Sequence, residues 1–531
     1  MALSPLPGSV MRSTLSALTR YPAPAAEALG NGSAPGHPGS AAGDAVPAEA
    51  LVHELSRGER VRWFASHPAW PISALIIGYP VWWALGIADF IWPIMAIPML
   101  SRMAAWRRQG RRVRAPAGFG LWVLFILCAV AGVLVLSVVA PGTVPSSLGH
   151  RLLSYTNRTL TYLGVTVVLV YACNLTEREM SRRKLAYMLG LMAIYTTIGG
   201  LAGMAASHFS FKSPFLLILP HSVQSNPFIQ ASMHPGLSQI QNVVGSAKGR
   251  PKAPFDYTDM WGEVLTSMVP FLLAAWWLGG TRRQRLIAGG TTVVAIAPLL
   301  YSLDRGAWIG AAIAVIYLAV RLAARGKTAM IGGLFAGLVL AAFVLFATPV
   351  HTLITDRLHN GQSNQIRSDL TQLAVRDAVA SPVIGYGDTR QQRGSPGSIA
   401  VGPSLACPVC GQQAVGSNGQ LWLLLICSGF VGTAFYLGFF AYGIWRFRRD
   451  RSAYGLAGLL VLLLSFLYMF TYTAIPAPLG LTMLVYALLW KNDQFAKSSA
   501  ALGIGDTDIS GLQDGRLTSP REVSVSGGSS V

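Results

Sequence analysis

Long apolar runs without charge recur along most of this chain and constrain its fold more than any other feature. Residues 118–140 and residues 419–445 contain no Asp, Glu, Lys or Arg. A helix of about 20 apolar residues is long enough to cross the hydrocarbon of a bilayer. Only 12% of the residues are charged, roughly half the share found in ordinary soluble proteins. The chain is therefore predicted to be an all-α polytopic membrane protein.

About twelve transmembrane helices are predicted from these runs. The second is the weakest, because Pro93 and Pro98 interrupt its apolar pattern. The predicted spans lie near residues 70–87, 89–105, 118–140, 158–175, 184–206, 258–279, 283–301, 305–323, 329–348, 419–445, 453–471 and 474–490.

Basic residues concentrate in every alternate short loop between these spans. Six arginines lie between residues 102 and 114, and four basic residues lie between residues 178 and 184. Loops rich in Lys and Arg stay in the cytoplasm, so both termini are predicted to be cytoplasmic. The excess of 41 Lys plus Arg over 22 Asp plus Glu therefore orients the protein, and no nucleic-acid partner is expected.

Three regions are expected along the chain. Residues 1–57 are rich in Ala, Pro, Gly and Ser and lack the apolar core of a signal peptide, so they are predicted to form a disordered cytoplasmic tail. Residues 58–492 form the transmembrane domain, and residues 493–531 a second disordered tail. Two long loops, residues 207–257 and 349–418, are predicted to be extracellular, the second between helices nine and ten. Loops of this length are usually functional or disordered.

The second long loop contains an amphipathic stretch between residues 363 and 380. Ile366, Leu370, Leu373 and Ala374 recur near helical spacing. This pattern predicts an ordered helix at the outer surface.

Charged residues persist in the tight outer turn between spans seven and eight. Asp304 and Arg305 lie there, at the edge of the hydrocarbon. An ionisable group at this depth is costly and usually faces a cavity or a partner. The turn is therefore a candidate functional site, although a local Asp304–Arg305 interaction or an interfacial anchor would also explain it.

Two further arginines are predicted on the same outer face. Arg250 lies in a Pro-rich segment that also carries Asp259, and Arg367 lies on the amphipathic helix. Guanidinium groups bind phosphate through two parallel hydrogen bonds and stay charged. Three separated arginines thus suit an anionic, lipid-linked substrate, whereas ordinary snorkelling charges are the simpler reading for the Pro-rich segment.

The outer loop also contains Cys407-Pro-Val-Cys410. An oxidising exterior favours a disulfide between Cys407 and Cys410. A single C-x-x-C pair cannot supply four zinc ligands, so no metal site is predicted. Further along, Asn418 and Gln420 lie at the mouth of span ten, where they could bind a sugar or cap the helix.

Three short motifs, in this order and topology, resemble the O-antigen ligase-like family, which includes many polysaccharide polymerases. Asp304-Arg-Gly-Ala-Trp-Ile-Gly310 is similar to the family's Ser-Arg-Gly-Ala-Trp element, and Ser381-Pro-Val-Ile-Gly-Tyr-Gly387 to its Ser-Pro-Leu-x-Gly-x-Gly. Gly416-Ser-Asn-Gly-Gln resembles its His-Asn element before a Gly-x-x-Gly helix. The resemblance covers roughly residues 70–490, and the Cys-Pro-x-Cys element looks most like actinobacterial members.

The resemblance implies glycosyl transfer at the outer face of the bacterial plasma membrane. A glycan on undecaprenyl diphosphate would pass to an acceptor hydroxyl of a glycan or glycolipid, with no cofactor. Arg305, with Arg250 and Asp304, would be catalytic, the arginines holding the diphosphate as the sugar–phosphate bond breaks. Substrate binding is expected from Arg367, Asp259, Ser417, Asn418 and Gln420.

This chain departs from the family pattern at one position. The family's external His aligns with Ser417, and a serine cannot act as a general base near neutral pH without help. Another group, such as His351, His359, Asp259 or Glu263, would have to take that role, or the chemistry differs.

Two other functions compete with glycosyl transfer. A transporter of lipid-linked or anionic substrates would show pseudo-symmetric halves with interrupted helices, and no repeat between halves is evident. A non-catalytic scaffold of envelope assembly would tolerate the loss of Arg305. The sequence leaves open the sugar, the acceptor and the choice between ligation and polymerisation.

Overall fold

The computed structural model describes residues 67–143, 148–224, 227–242, 247–324, 362–391 and 414–501, with a few isolated positions between 326 and 339. The chain is divided at Trp70 into a first unit and a second unit, Pro71–Val531. The elements that form the candidate site belong to the second unit.

Helices dominate the described residues, as the apolar runs predict. In chain order they are α1 (Trp70–Ile77), α2 (Tyr79–Leu85), α3 (Ile91–Arg108), α4 (Phe119–Ala131), α5 (Leu148–Asn174), α6 (Arg182–Ala205), α7 (Pro214–Ile218), α8 (His221–Gln224), α9 (Pro227–Met233), α10 (Thr258–Phe271), α11 (Arg282–Val294), α12 (Ile296–Tyr301), α13 (Arg305–Ala323), α14 (Gln362–Ala380), α15 (Gln420–Phe447), α16 (Ala453–Tyr468) and α17 (Ala477–Ala501).

The helical paths include two segments of other geometry. A 3₁₀ turn, Gly132–Val135, extends α4, and a π-helical segment, Leu272–Leu278, extends α10. Sheet is confined, in the described part, to two antiparallel pairs. One pairs β1 (Ser238–Asn242) with β2 (Ala247–Pro251), and the other β3 (Arg390–Gln391) with β4 (Ala414–Val415).

Four helical segments among the described residues are long and apolar enough to cross a membrane. They are Arg182–Ala205, Thr258–Leu278, Arg305–Ala323 and Gln420–Phe447, and shorter apolar helices cover Phe119–Val135 and Ala453–Tyr468. This is a helical membrane protein. The number twelve stays a prediction, and most of the predicted ninth span, residues 329–348, lies outside the described residues.

Some helix bounds differ from those predicted. The first predicted span is two helices, since α1 ends at Ile77 and α2 begins at Tyr79. Pro98 lies inside the continuous helix α3 and does not end it. Pro93 lies in the first turn of α3, where backbone N–H groups have no intrahelical acceptor.

The last helix extends past the predicted start of the C-terminal tail. We expected a disordered segment from residue 493, but α17 continues to Ala501. Its continuation is held by Asn492, which accepts a hydrogen bond from Arg182 (2.7 Å) and donates to Asp450 (2.8 Å). Residues 1–66 and 502–531 lie outside the described residues.

Helix packing places α10 in the interior and α13 toward the periphery. Of the four long apolar segments, Thr258–Leu278 is the most buried and Arg305–Ala323 the least. Helix α10 packs on α6 and α13, and α15 packs on α4, α14 and α16. The first turns of α10 and α13 therefore meet, and these turns carry Asp259 and Arg305.

The amphipathic helix predicted in the outer loop is confirmed as α14. Leu370 and Ala374 are buried. Ala374 packs in one apolar cluster with Tyr386, Leu423 and Ile426. Through this cluster, α14 is fixed to α15.

Candidate functional site

A β-hairpin positions the first predicted arginine. Arg250 lies on β2, opposite Gln239 of β1. Its Nε donates to the carbonyl of Ser302 at 2.7 Å, and its Nη1 donates to Gln241 Oε1 at 2.5 Å. These bonds fix the hairpin to the turn that precedes Asp304.

Asp304 caps the helix that begins at Arg305. Its Oδ1 accepts the backbone N–H of Gly306 at 3.2 Å, and Asp304 N donates to Ser302 Oγ at 3.3 Å. The hydroxyl of Tyr472 also donates to Asp304 Oδ1. Asp304 is 5% exposed, and its Oδ2 lacks a hydrogen-bond partner among the described residues. A buried carboxylate oxygen without a hydrogen bond is costly.

Two glycines allow this close packing. A Cβ at Gly306 would overlap the hydroxyl of Tyr472. A Cβ at Gly262, on α10, would lie 2.7 Å from Ala307 Cβ and 3.1 Å from Asp304 Oδ2. Asp304 therefore lies directly against the face of α10.

That face of α10 contributes two more carboxyl groups. Asp259 and Glu263 are four residues apart on the helix, so their side chains are neighbours on one face. Glu263 is 4% exposed and its Oε2 lacks a described partner. Asp259 is half-buried. Glu263 lies within electrostatic range of Asp259 and Asp304.

The three predicted arginines meet these carboxyl groups. Arg367 donates from Nη1 to the carbonyl of Thr471 at 2.8 Å. Arg250 and Arg367 both act electrostatically on Asp259, and Arg367 also acts on Arg305. We name this set the outer cluster: Asp259, Glu263, Asp304, Arg250, Arg305, Arg367 and Tyr472. It joins five separate parts of the chain.

Tyr472 is the member that the sequence did not suggest. Burial raises the pKa of Tyr472 well above its ordinary value, and the charge of Asp304 raises it further. The hydroxyl therefore stays protonated and donates to Asp304 at neutral pH. A tyrosine near the end of a membrane helix is ordinarily an interfacial residue, so no sequence signal set it apart.

Asn418 and Gln420, predicted at the mouth of span ten, have two different roles. Asn418 donates to Thr371 Oγ1 (2.9 Å) and to the carbonyl of Arg367 (3.3 Å), which supports the helix turn carrying Arg367. Gln420 is fully buried and bonds to the Tyr162 hydroxyl (3.1 Å) and to Ala474 N (3.1 Å). Both ends of its amide are thus engaged within the protein, and neither caps the start of α15. Ser417 is exposed on the adjoining turn.

The motif of residues 381–387 fills a break in helix α15. Gly429 has φ 63° and ψ −171°, so the helix is interrupted there. Tyr386 N donates to the carbonyl of Ile426 at 2.8 Å, and Gly387 N donates to that of Cys427 at 3.1 Å. In return, Phe430 N donates to the carbonyl of Pro382 at 2.7 Å. Backbone groups freed by the break must be satisfied inside a membrane protein, so this motif has a structural role.

A buried ion pair anchors the same motif. Arg158 donates from Nη1 to Asp388 Oδ1 at 2.9 Å and from Nη2 to the carbonyl of Gly387 at 2.5 Å. Arg390 is also buried and donates to carbonyls that include those of Leu136 and Tyr386. A lone charge in a predicted span, such as Arg158, was a signal that sequence reasoning could have used.

Several predicted site residues lie outside the described residues. These are Cys407 and Cys410, predicted to form a disulfide, and the alternative bases His351 and His359. Among the residues that are described, no group of three or more His, Cys, Asp and Glu side chains is placed to hold a metal ion.

Comparison with known proteins gives one family match. The model of a family described as O-antigen ligase matches residues 290–403. The matched region contains Asp304, Arg305, Arg367 and the motif of residues 381–387, and it ends before Ser417. No curated protein matches the chain.

Proposed function

Because residues 290–403 match the model of a family described as O-antigen ligase, we propose that this chain transfers a glycan from undecaprenyl diphosphate to an acceptor hydroxyl. The reaction takes place at the outer face of the bacterial plasma membrane. The donor's polyprenyl chain stays in the lipid while its diphosphate meets the outer cluster.

The convergence of Arg250, Arg305 and Arg367 is the observation that carries this proposal. They come from a hairpin, a membrane helix and the outer-loop helix, and their charges act on one another or on Asp259. Like charges brought together repel one another, and an anion bound among the arginines, in addition to the carboxyl groups of the cluster, relieves that repulsion. A diphosphate, with several oxygens to accept guanidinium hydrogen bonds, matches this need.

The chemistry assigned to the arginines is stabilisation of the leaving group. As the bond between the sugar C1 and the phosphate oxygen breaks, negative charge develops on the diphosphate. Fixed cations placed where charge develops lower the barrier. Arg305 is held for this by the Asp304 cap, which Tyr472 in turn fixes. Asn418 has a supporting role through its bond to the Arg367 carbonyl.

The interrupted helix α15 is the feature that a transporter would share. In transporters, broken helices line an ion or substrate site near the bilayer centre. Here the break at Gly429 is occupied by backbone of residues 382–387. The described structure thus gives the break a packing role, which favours the enzyme over the transporter.

The amount of lipid-linked glycan that accumulates in cells tests the proposal. A deletion strain is complemented with wild type, Arg305→Ala or Arg321→Ala. Arg321 is the matched control, because it lies on the same helix α13 in its last turn. Undecaprenyl-diphosphate glycan is expected to accumulate in the deletion and Arg305→Ala strains only.

The stalled glycans also separate two activities. Single repeat units indicate a polymerase, and long chains indicate a ligase. An unchanged pool in the Arg305→Ala strain, with the variant present and folded in the membrane, would refute glycosyl transfer and favour transport or scaffolding.

A further inference from the structure

The proposed transfer releases a proton from the acceptor hydroxyl, and some group must accept it. The outer cluster holds three carboxyl groups, Asp259, Glu263 and Asp304. Assigning the proton to one of these three groups rests on the proposed function.

Asp304 is committed to other contacts. Its Oδ1 caps α13 through Gly306 N and accepts the hydroxyl of Tyr472. Its Oδ2 lies against Gly262, on the packed face between α10 and α13. A hydroxyl of a large glycan would have to separate two helices to reach it.

Glu263 lies one turn further along α10 than Asp259. It is 4% exposed. It is therefore too buried for a hydroxyl of a large glycan to reach. The other two carboxyl groups, Asp259 and Asp304, act on it electrostatically.

Asp259 is the most exposed of the three carboxyl groups. It is half-buried in the first turn of α10. The charges of Asp304, Arg250 and Arg367 all act on it. A carboxylate beside the cations that hold the leaving group is in position to receive a hydroxyl that approaches the reacting sugar.

We infer that Asp259 is the general base of the transfer. The acceptor oxygen forms a bond to the sugar C1, and its proton passes to the Asp259 carboxylate. The bond between C1 and the phosphate oxygen breaks, and its electron pair leaves with undecaprenyl diphosphate among the arginines. Asp304 is a positioning residue, because it acts electrostatically on Asp259 and its own place is fixed by Gly306 and Tyr472.

The charged and titratable groups that face Asp259 come from several elements. They are Glu263 on its own helix, Asp304 before α13, Arg250 on the hairpin, Arg367 on α14, Tyr257 before α10 and Tyr472 after α16. A base must be deprotonated to act, so the wild-type rate falls as pH decreases.

The test uses full-length protein in liposomes. The donor is lipid-linked glycan extracted from the Arg305→Ala strain, and the acceptor is the envelope fraction of the deletion strain. Release of undecaprenyl diphosphate is measured against pH for wild type, Asp259→Asn, Asp259→Glu and Asp369→Asn. Asp369 is an exposed carboxyl on α14 and serves as the control.

Removal of a general base lowers rates by about 10²–10⁴-fold. We expect a loss of that size for Asp259→Asn, together with loss of the acidic limb of the pH profile. Asp259→Glu should restore part of the rate with a displaced limb, and Asp369→Asn should behave as wild type.

The outcomes separate this inference from the function on which it rests. Wild-type rate and an unchanged acidic limb in Asp259→Asn would overturn the role of Asp259 while glycosyl transfer stands. No release by wild type would instead refute the proposed function. If Asp259→Asn does not fold, Asp259→Glu provides the test. An acidic limb of the Asp259→Glu pH profile identical to that of wild type would overturn the inference.

Discussion

The hydroxyl of Tyr472 donates a hydrogen bond to Asp304, and this bond joins the turn after α16 to the start of α13. Asp304 caps the helix whose first residue is Arg305. The position of Arg305 therefore depends on a tyrosine that follows it by 167 residues in the sequence. Packing of three helices, rather than the local turn alone, sets the geometry of the outer cluster.

The first prediction concerns removal of the Tyr472 hydroxyl. Tyr472→Phe leaves the buried Asp304 carboxylate with one donor fewer, at a cost of about 1–3 kcal/mol. We expect lower thermal stability in detergent and slower glycan transfer. Tyr442→Phe is the control, because Tyr442 lies at the helix surface with 36% exposure. Equal stability and activity of the two variants would show that the Tyr472 bond is dispensable.

The second prediction concerns the glycine after Arg305. Gly306→Ala places a methyl group where the Tyr472 hydroxyl lies, and such overpacking costs about 1–3 kcal/mol. Gly290→Ala on α11 is the matched helical control, since no atom lies within 4 Å of the added Cβ. Gly290→Ala should be neutral or stabilising, because Ala is the better helix former. Thermal unfolding of both variants distinguishes the positions, and a harmless Gly306→Ala would contradict the packing.

Sequence reasoning predicted the membrane class, the helix of the outer loop and the arginines that meet in the site. These features rest on local patterns: apolar runs, helical spacing and charge at helix ends. It did not predict Tyr472, nor the docking of residues 382–387 into α15. Both depend on which helices become neighbours, and side-chain spacing within one helix carries no such information. The helical break at Gly429 is a case in point, because its partners lie more than forty residues earlier.

The third prediction concerns the ion pair beneath that motif. Arg158 and Asp388 are both buried, with side chains 9% and 4% exposed. Breaking a buried pair on one side costs about 3–5 kcal/mol, because one charge is left uncompensated. Arg158→Gln should therefore be severely destabilised, and the double variant Arg158→Gln/Asp388→Asn should recover part of the loss. Thermal unfolding in detergent measures both, and additive losses would show that the two residues are not coupled.

The fourth prediction is a pH dependence at the predicted cytoplasmic face. Glu179 accepts hydrogen bonds from Arg111 Nη1 (2.7 Å) and Nη2 (2.9 Å) and from Thr176 N (2.8 Å). Burial alone would raise the pKa of Glu179, but these hydrogen bonds outweigh it and the pKa lies below its ordinary value.

The lowered pKa sets the sign of the effect. Glu179 binds a proton less tightly in the folded state than in the unfolded state. The Arg111–Glu179 pair therefore stabilises the folded protein at pH values above the pKa of Glu179 in the unfolded state. This stabilisation is lost as the pH falls through the pKa of Glu179 in the folded state. For a partly exposed pair the gain is about 1 kcal/mol. Glu179→Gln should therefore lower the melting temperature at pH 7 and converge with wild type at acid pH. Arg112→Gln controls for loss of one exposed charge, and a difference that persists at acid pH would contradict the assignment.

The most direct test of glycosyl transfer is the release of undecaprenyl diphosphate by purified protein. Wild type, Arg305→Ala and Arg321→Ala are placed in liposomes with the accumulated lipid-linked glycan and the envelope acceptor. Wild type and Arg321→Ala should release the carrier at equal rates while Arg305→Ala releases almost none. Equal release by wild type and both variants would contradict the role of the outer cluster as the site of transfer.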